Sequence, residues 1–207
     1  MSYCNWEHTS PVNIKYHDEE WGIPIHNDVH QFEYLCLEVL QCGLNWNTII
    51  NKRDILRRCF DGFDFTKIAE YTDSNITHIM QTEGMIKSPS KIKAIINNAK
   101  CFLKIRQTFG SFDSYLWGYS KGKTILYHKH ADGFIPASNG LSEKISNDLK
   151  KRGFKFVGPI TIYAHLQACG IINDHDKNCP RHVYINNHFP TVFKKCDHES
   201  GVQNFNK

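Results

Sequence analysis

The sequence predicts an all-α protein. Three observations carry that reading: most segments space their apolar residues with a helical period, strand signals are nearly absent, and no period of 20–50 residues repeats, which sets a solenoid aside. With 207 residues, one domain or two intimately joined halves is expected, long enough for a substantial core.

The elements follow in order. Asp28 caps a helix over 28–42, with Phe32, Leu35, Cys36, Val39 and Leu40 at the i, i+3, i+4 spacing, and Gly43 stops it. A second helix is expected over 46–59, ended by Asp61-Gly62, then a short one from Asp64 or Thr66, then one over 73–82. A tight turn at Gly84 follows. Ser88 as N-cap and Pro89 at the first helical position open a long helix over 89–108. Residues 121–139 read as irregular, 141–151 and 161–171 as helices, and 186–207, rich in Asn, His and Lys, as a flexible tail beyond a domain spanning 1–185.

Composition narrows the function classes. Apolar residues at 41% and charged residues at 22% exclude disorder and collagen-like chains. The formal charge of +4 permits a polyanionic partner without arguing for one. Eight cysteines lack the tight, even spacing of a secreted disulfide framework. The start shows neither a basic nor an apolar leader segment, and 156–172 is too short and too polar to span a bilayer. A cytosolic protein with reduced thiols, outside the membrane, is expected.

Four groups of residues could carry chemistry. Cys4 and His17, with His175 and Cys179 four residues apart, are metal-ligand types from the two ends of the chain, and would close it on itself. Against this, a His-x-x-x-Cys pair arises easily among 12 His and 8 Cys, and Cys169, His182, Cys196 and His198 compete. Trp6, Tyr16, Trp21 and Trp46 crowd the N-terminal stretch; aromatics ordinarily fill cores, yet these sit among polar residues, as in a pocket that stacks a planar ligand. Glu38 lies about 130° from the centre of its helix's apolar stripe, so a solvated carboxylate is the default. Leu37 on the far side weakens that default, because a carboxylate on an apolar surface needs a partner or a task. Finally, backbone N–H groups at the Gly84 turn and the following helix start, with Lys87, Lys91 and Lys93, suit phosphate oxygens.

Taken in order, several blocks resemble one family. They are Cys4-Asn5-Trp6, Tyr16-His17-Asp18-Glu19-Glu20-Trp21-Gly22, Leu37-Glu38 with Gln41, Gly43-Leu44 and Trp46, Lys91-Ile92, Asn98-Ala99, the run 149–158, and Gln167-Ala168-Cys169-Gly170 leading to Asp174-His175. The chain is similar over residues 1–182 to 3-methyladenine DNA glycosylase I, the constitutive bacterial type within the helix-hairpin-helix glycosylases. The resemblance implies a helical body, a hairpin over 73–108, and one structural Zn2+ on Cys4, His17, His175 and Cys179, joining the N- and C-terminal segments. It implies a monomeric, cytoplasmic base-excision repair enzyme. Such an enzyme takes double-stranded DNA containing alkylated adenine, hydrolyses the N-glycosidic bond of 3-methyladenine and leaves an abasic site, with no lyase step.

On that resemblance Glu38 is the essential carboxylate, reading the edge that bears the exocyclic amine. Trp46 stacks on the flipped base, Tyr16, Trp6 and Trp21 form the walls, Gly43 and Leu44 wedge into the gap, and Gly84, Lys87 and Lys91 hold DNA. Three positions depart from the family pattern. Asn13 stands where an aromatic wall is usual, Asn45 replaces a serine before Trp46, and Ser88-Pro89-Ser90 replaces a basic stretch, which implies weaker, less salt-dependent binding. Asn13 and the depleted hairpin motivate the alternative of a non-catalytic lesion-binding relative; a zinc hydrolase is a third reading, disfavoured by four protein ligands.

Overall fold

The computed structural model describes Cys4 and residues 10–195. Eleven α-helices form the body of the described chain: α1 (Pro11–Glu19), α2 (Asp28–Gln41), α3 (Trp46–Asn51), α4 (Arg53–Cys59), α5 (Phe65–Ala69), α6 (Asp73–Gln81), α7 (Pro89–Phe109), α8 (Phe112–Gly118), α9 (Gly140–Lys151), α10 (Pro159–Ala168) and α11 (Pro180–His188). Short polar side chains start several of them. Ser10, Asn27, Asn45, Asp64, Ser111 and Asn139 each accept a backbone N–H of the first turn, meeting donors that the helix leaves unpaired.

Helix α2 is the axis of the molecule. Every residue from Gln31 to Leu40 is buried, because α10, α7, α8 and α3 pack around it. A helix covered on all sides has no solvent face, so the expectation of a solvated Glu38 fails: the carboxylate is 6% exposed. A second buried acid, Glu33, is neutralised by Arg53 Nε at 2.7 Å and Arg57 Nε at 2.8 Å, which hold its carboxyl below the usual range against the opposing effect of burial. The expected helix over 46–59 is two helices meeting at Lys52.

The all-α expectation needs one correction. The described residues contain a two-stranded parallel sheet, β1 (Thr124–Tyr127) and β2 (Thr191–Lys194), with Thr124 opposite Thr191, and Ile125 also bridges to Ile172. β1 falls where irregular chain was expected. It is four residues long and buried throughout, so it shows no alternation to recognise. Within the stretch 186–207 that the sequence sets apart as a tail, the end of α11 and β2 are regular structure; positions 196–207 lie outside the described residues. Among the described residues no helix is long and apolar enough to cross a membrane.

Candidate functional site

α1, α2, α3 and α10 converge on a cavity of about 300 Å³ lined by Tyr16, Trp21, Glu38, Gln41, Trp46, Ile135, Ala164 and Gln167. Trp46 is the first residue of α3, set by the Asn45 cap, whose side chain accepts Asn47 N at 2.7 Å. The change from serine at position 45 thus keeps a capping residue. The Tyr16 and Trp46 rings lie 5.1 Å apart at 46°, and Tyr16 meets Tyr34 edge-on.

Glu38 faces this space from α2. Its carboxylate has no hydrogen-bond partner among the described residues, and burial pushes its pKa up to about 8. The site therefore combines flat aromatic surface with an acid that the protein leaves unanswered, which suits a planar ligand offering hydrogen-bond donors or positive charge. Burial also holds the Tyr16 phenol well above its ordinary range.

A second hollow of about 400 Å³ adjoins the first, sharing Glu38, Gln41 and Ala164 and adding Cys42, Gly43, Leu44, Ile160 and Thr161. Gly43 turns the chain sharply out of α2 at φ +76°, a conformation that glycine adopts without strain. This leaves Leu44 42% exposed beside the opening. Elsewhere in the chain α6, the turn at Gly84 (φ +76°) and α7 form a helix–turn–helix, and Lys87 is exposed on it. Lys52 donates to the Gly84 carbonyl at 2.5 Å, tying this turn to α3 and α4.

Lys91 corrects the sequence expectation. It is 9% exposed, and its ammonium donates to the carbonyls of Leu40 at 2.7 Å and Cys42 at 2.5 Å. It closes the C-terminus of α2, where cations are favoured, and its ammonium is engaged by backbone carbonyls. Burial lowers its pKa.

Cys4, His17, His175 and Cys179 are all buried, with their ligand atoms within 4.8 Å of one another. His175 Nδ1 lies 3.2 Å from His17 Nε2, 3.7 Å from Cys4 Sγ and 3.6 Å from Cys179 Sγ. A tetrahedral ion bound to two nitrogens and two sulfurs at ordinary zinc lengths sets its ligand atoms about 3.3–3.8 Å apart, so the donor set fits. The remaining ring nitrogens are also spoken for: His17 Nδ1 sits 2.8 Å from Asp18 Oδ1, and His175 Nε2 3.0 Å from the Trp21 carbonyl. Such outer partners fix which nitrogen faces a metal. Contacts with Cys4, then with His17 and His175, hold the Cys179 thiol well below its usual range.

The structure thus gathers Glu38, Trp46, Tyr16 and Trp21 at one cavity and Gly43 with Leu44 at its edge. Trp6 lies outside the described residues. Asn13 is buried 3.3 Å from Asn47 and does not line the cavity. Sequence reasoning assigned no role to Gln41, Ile135, Ala164 or Gln167. Gln41 was accessible, since it stands three residues from Glu38 and shares its helix face. The other three come from segments brought in only by tertiary folding.

Comparison with known proteins gives a consistent picture. A family model described as methyladenine glycosylase matches residues 6–182. The chain is 38% identical over 179 residues to DNA-3-methyladenine glycosylase 1 of Escherichia coli (strain K12), covering 86% of this chain and 96% of the relative. It is 37% identical over 177 residues to DNA-3-methyladenine glycosylase of Haemophilus influenzae, with the same coverages. Among solved structures, 3-methyladenine DNA glycosylase I from Staphylococcus aureus, described in terms of its 3-methyladenine recognition, superimposes with a TM-score of 0.82. That match has 36% identity and covers 87% of this chain and 96% of the other.

Proposed function

The chain belongs to the methyladenine glycosylase family, and from that premise we infer that it excises 3-methyladenine from alkylated DNA by hydrolysing the N-glycosidic bond. The observation that carries this reading is the meeting of Glu38 and Trp46 at one cavity of purine-accommodating size.

Chemistry asks little of the protein. Methylation at ring position 3 gives the nucleobase a formal positive charge, so it departs with the bonding electron pair as a neutral base, while water adds to the sugar carbon. The protein's tasks are to extrude the nucleotide, at a cost of a few kcal/mol, and to hold it. Trp46 offers a face to the cationic ring, worth about 0.5–2 kcal/mol relative to a neutral one, with Tyr16 and Trp21 as side walls. Glu38 accepts hydrogen bonds from the exocyclic amine, and a positive base favours the ionised carboxylate that the empty cavity disfavours. Guanine presents a carbonyl oxygen at that edge, which a carboxylate repels. No general base is assigned.

Leu44, carried by the Gly43 turn, fills the gap left in the duplex, while the turn at Gly84, with Lys87, engages backbone phosphate as a helix-hairpin-helix element. A Zn2+ on Cys4, His17, His175 and Cys179 would fasten the two ends of the fold and supply no chemistry to the reaction. The substrate is double-stranded DNA, and the protein acts as a monomer in the cytoplasm.

The test is direct. Methylated duplex DNA incubated with the protein should release free 3-methyladenine; binding without release would overturn the assignment.

A further inference from the structure

We propose that Gln167 is a second reader of the extruded base, its side-chain carbonyl oxygen accepting a hydrogen bond from the same exocyclic amine that Glu38 reads; this rests on the function proposed above.

Gln167 belongs to a buried hydrogen-bond network centred on Asp174. Asp174 is 2% exposed. Its Oδ1 lies 2.7 Å from His130 Nδ1, and its Oδ2 accepts from Tyr163 Oη at 2.6 Å and from Gln167 Nε2 at 2.8 Å. Gln167 Nε2 is the donor in that contact, so the amide points its NH2 group at Asp174. That settles which end of the amide is which, and commits the nitrogen inward. The carbonyl oxygen has no protein partner among the described residues, and the side chain lines the cavity together with Glu38.

Two acceptors therefore line a space walled by Tyr16, Trp21 and Trp46. An amine on a purine carries two hydrogens and can answer both. A carbonyl at the same ring position answers neither and is repelled by both. Asp174 never touches the base in this arrangement: it positions Gln167, and Gln167 selects. The neighbouring residue, His175, turns to the cysteine–histidine cluster, so one backbone step serves both sites.

The experiment compares wild type with Gln167→Met, which keeps length and removes the acceptor. Binding of free 3-methyladenine and of its 6-oxo counterpart, 3-methylhypoxanthine, is followed by tryptophan fluorescence, with melting temperature and metal content as checks of fold. Gln167→Met should bind 3-methyladenine about tenfold more weakly and bind 3-methylhypoxanthine at least as well as wild type does. Equal weakening of both ligands would show a merely structural role and overturn the inference, as would unchanged selectivity. Failure of the wild-type protein to bind 3-methyladenine at all would instead sink the underlying functional reading. If the mutant melts early, Gln167→Leu read at lower temperature applies the same ratio test.

Discussion

Trp21 and His175 meet edge to face with ring centroids 4.5 Å apart, and the Trp21 carbonyl also sits 3.0 Å from His175 Nε2. Trp21 is at the same time a wall of the base cavity. The cysteine–histidine cluster and the cavity therefore share a partition one residue thick. Gly22 keeps it thin, because a Cβ there would lie 2.9 Å from the His175 ring nitrogen.

It follows that metal should govern the cavity indirectly. About one equivalent of zinc per chain is expected by elemental analysis. Its removal by chelation should lower the melting temperature, and should shift tryptophan emission and weaken free-base binding together. A chelated, metal-free protein that melts and binds as before would contradict the linkage.

Glu38 should make stability fall as pH rises. The unfolded carboxyl ionises near 4.5 and the buried one near 8, so between these values the unfolded state has released a proton that the folded state still holds. Rising pH then favours unfolding, by at most about 1.4 kcal/mol per pH unit across that window. Glu38→Gln abolishes the effect. The mutant should match wild type below pH 4.5 and melt higher by pH 8, while losing excision by two orders of magnitude or more. Parallel melting profiles across this range would count against a strained carboxylate.

Lys91→Met should separate grip from extrusion. The ammonium fastens the end of α2, and hence the Gly43-Leu44 turn, to α7. Excision from duplex DNA should fall about tenfold, while affinity for free 3-methyladenine stays within twofold. The salt slope of DNA binding should be unchanged, whereas loss of a true phosphate contact would lower it by about 0.9.

Leu44→Ala tests the wedge. Duplex excision should drop about tenfold because the gap left by the base goes unfilled, whereas excision from single-stranded methylated DNA should barely change. An equal loss on both substrates would assign Leu44 to the cavity instead.

How far the sequence reached depended on locality. Asp64 and Ser88-Pro89 announce their helix starts through chemistry within a few residues, and both stand at helix starts in the fold. The solvated default for Glu38 fails because a helical wheel knows one helix, while much of the packing that buries it comes from α7 and α10, arriving from distant sequence; the family resemblance is what marks Glu38 as functional. The buried role of Lys91 is out of local reach for the same reason: its partners lie 49 and 51 residues upstream. β1 was invisible because its partner strand begins 67 positions later, as the pairing of Thr124 with Thr191 shows. Spacing alone leaves the cluster Cys4, His17, His175 and Cys179 among rivals and the family resemblance singles it out; the fold brings its four ligand atoms within 4.8 Å of one another.

The Lys91 clamp also bears on how damage is found. The buried Lys91 contacts tie the start of α7 to the Gly43-Leu44 turn, so on the function proposed above the hairpin and Leu44 would reach a duplex together. Each landing would then double as an attempt to prise the duplex open, with no separate trigger for inspection.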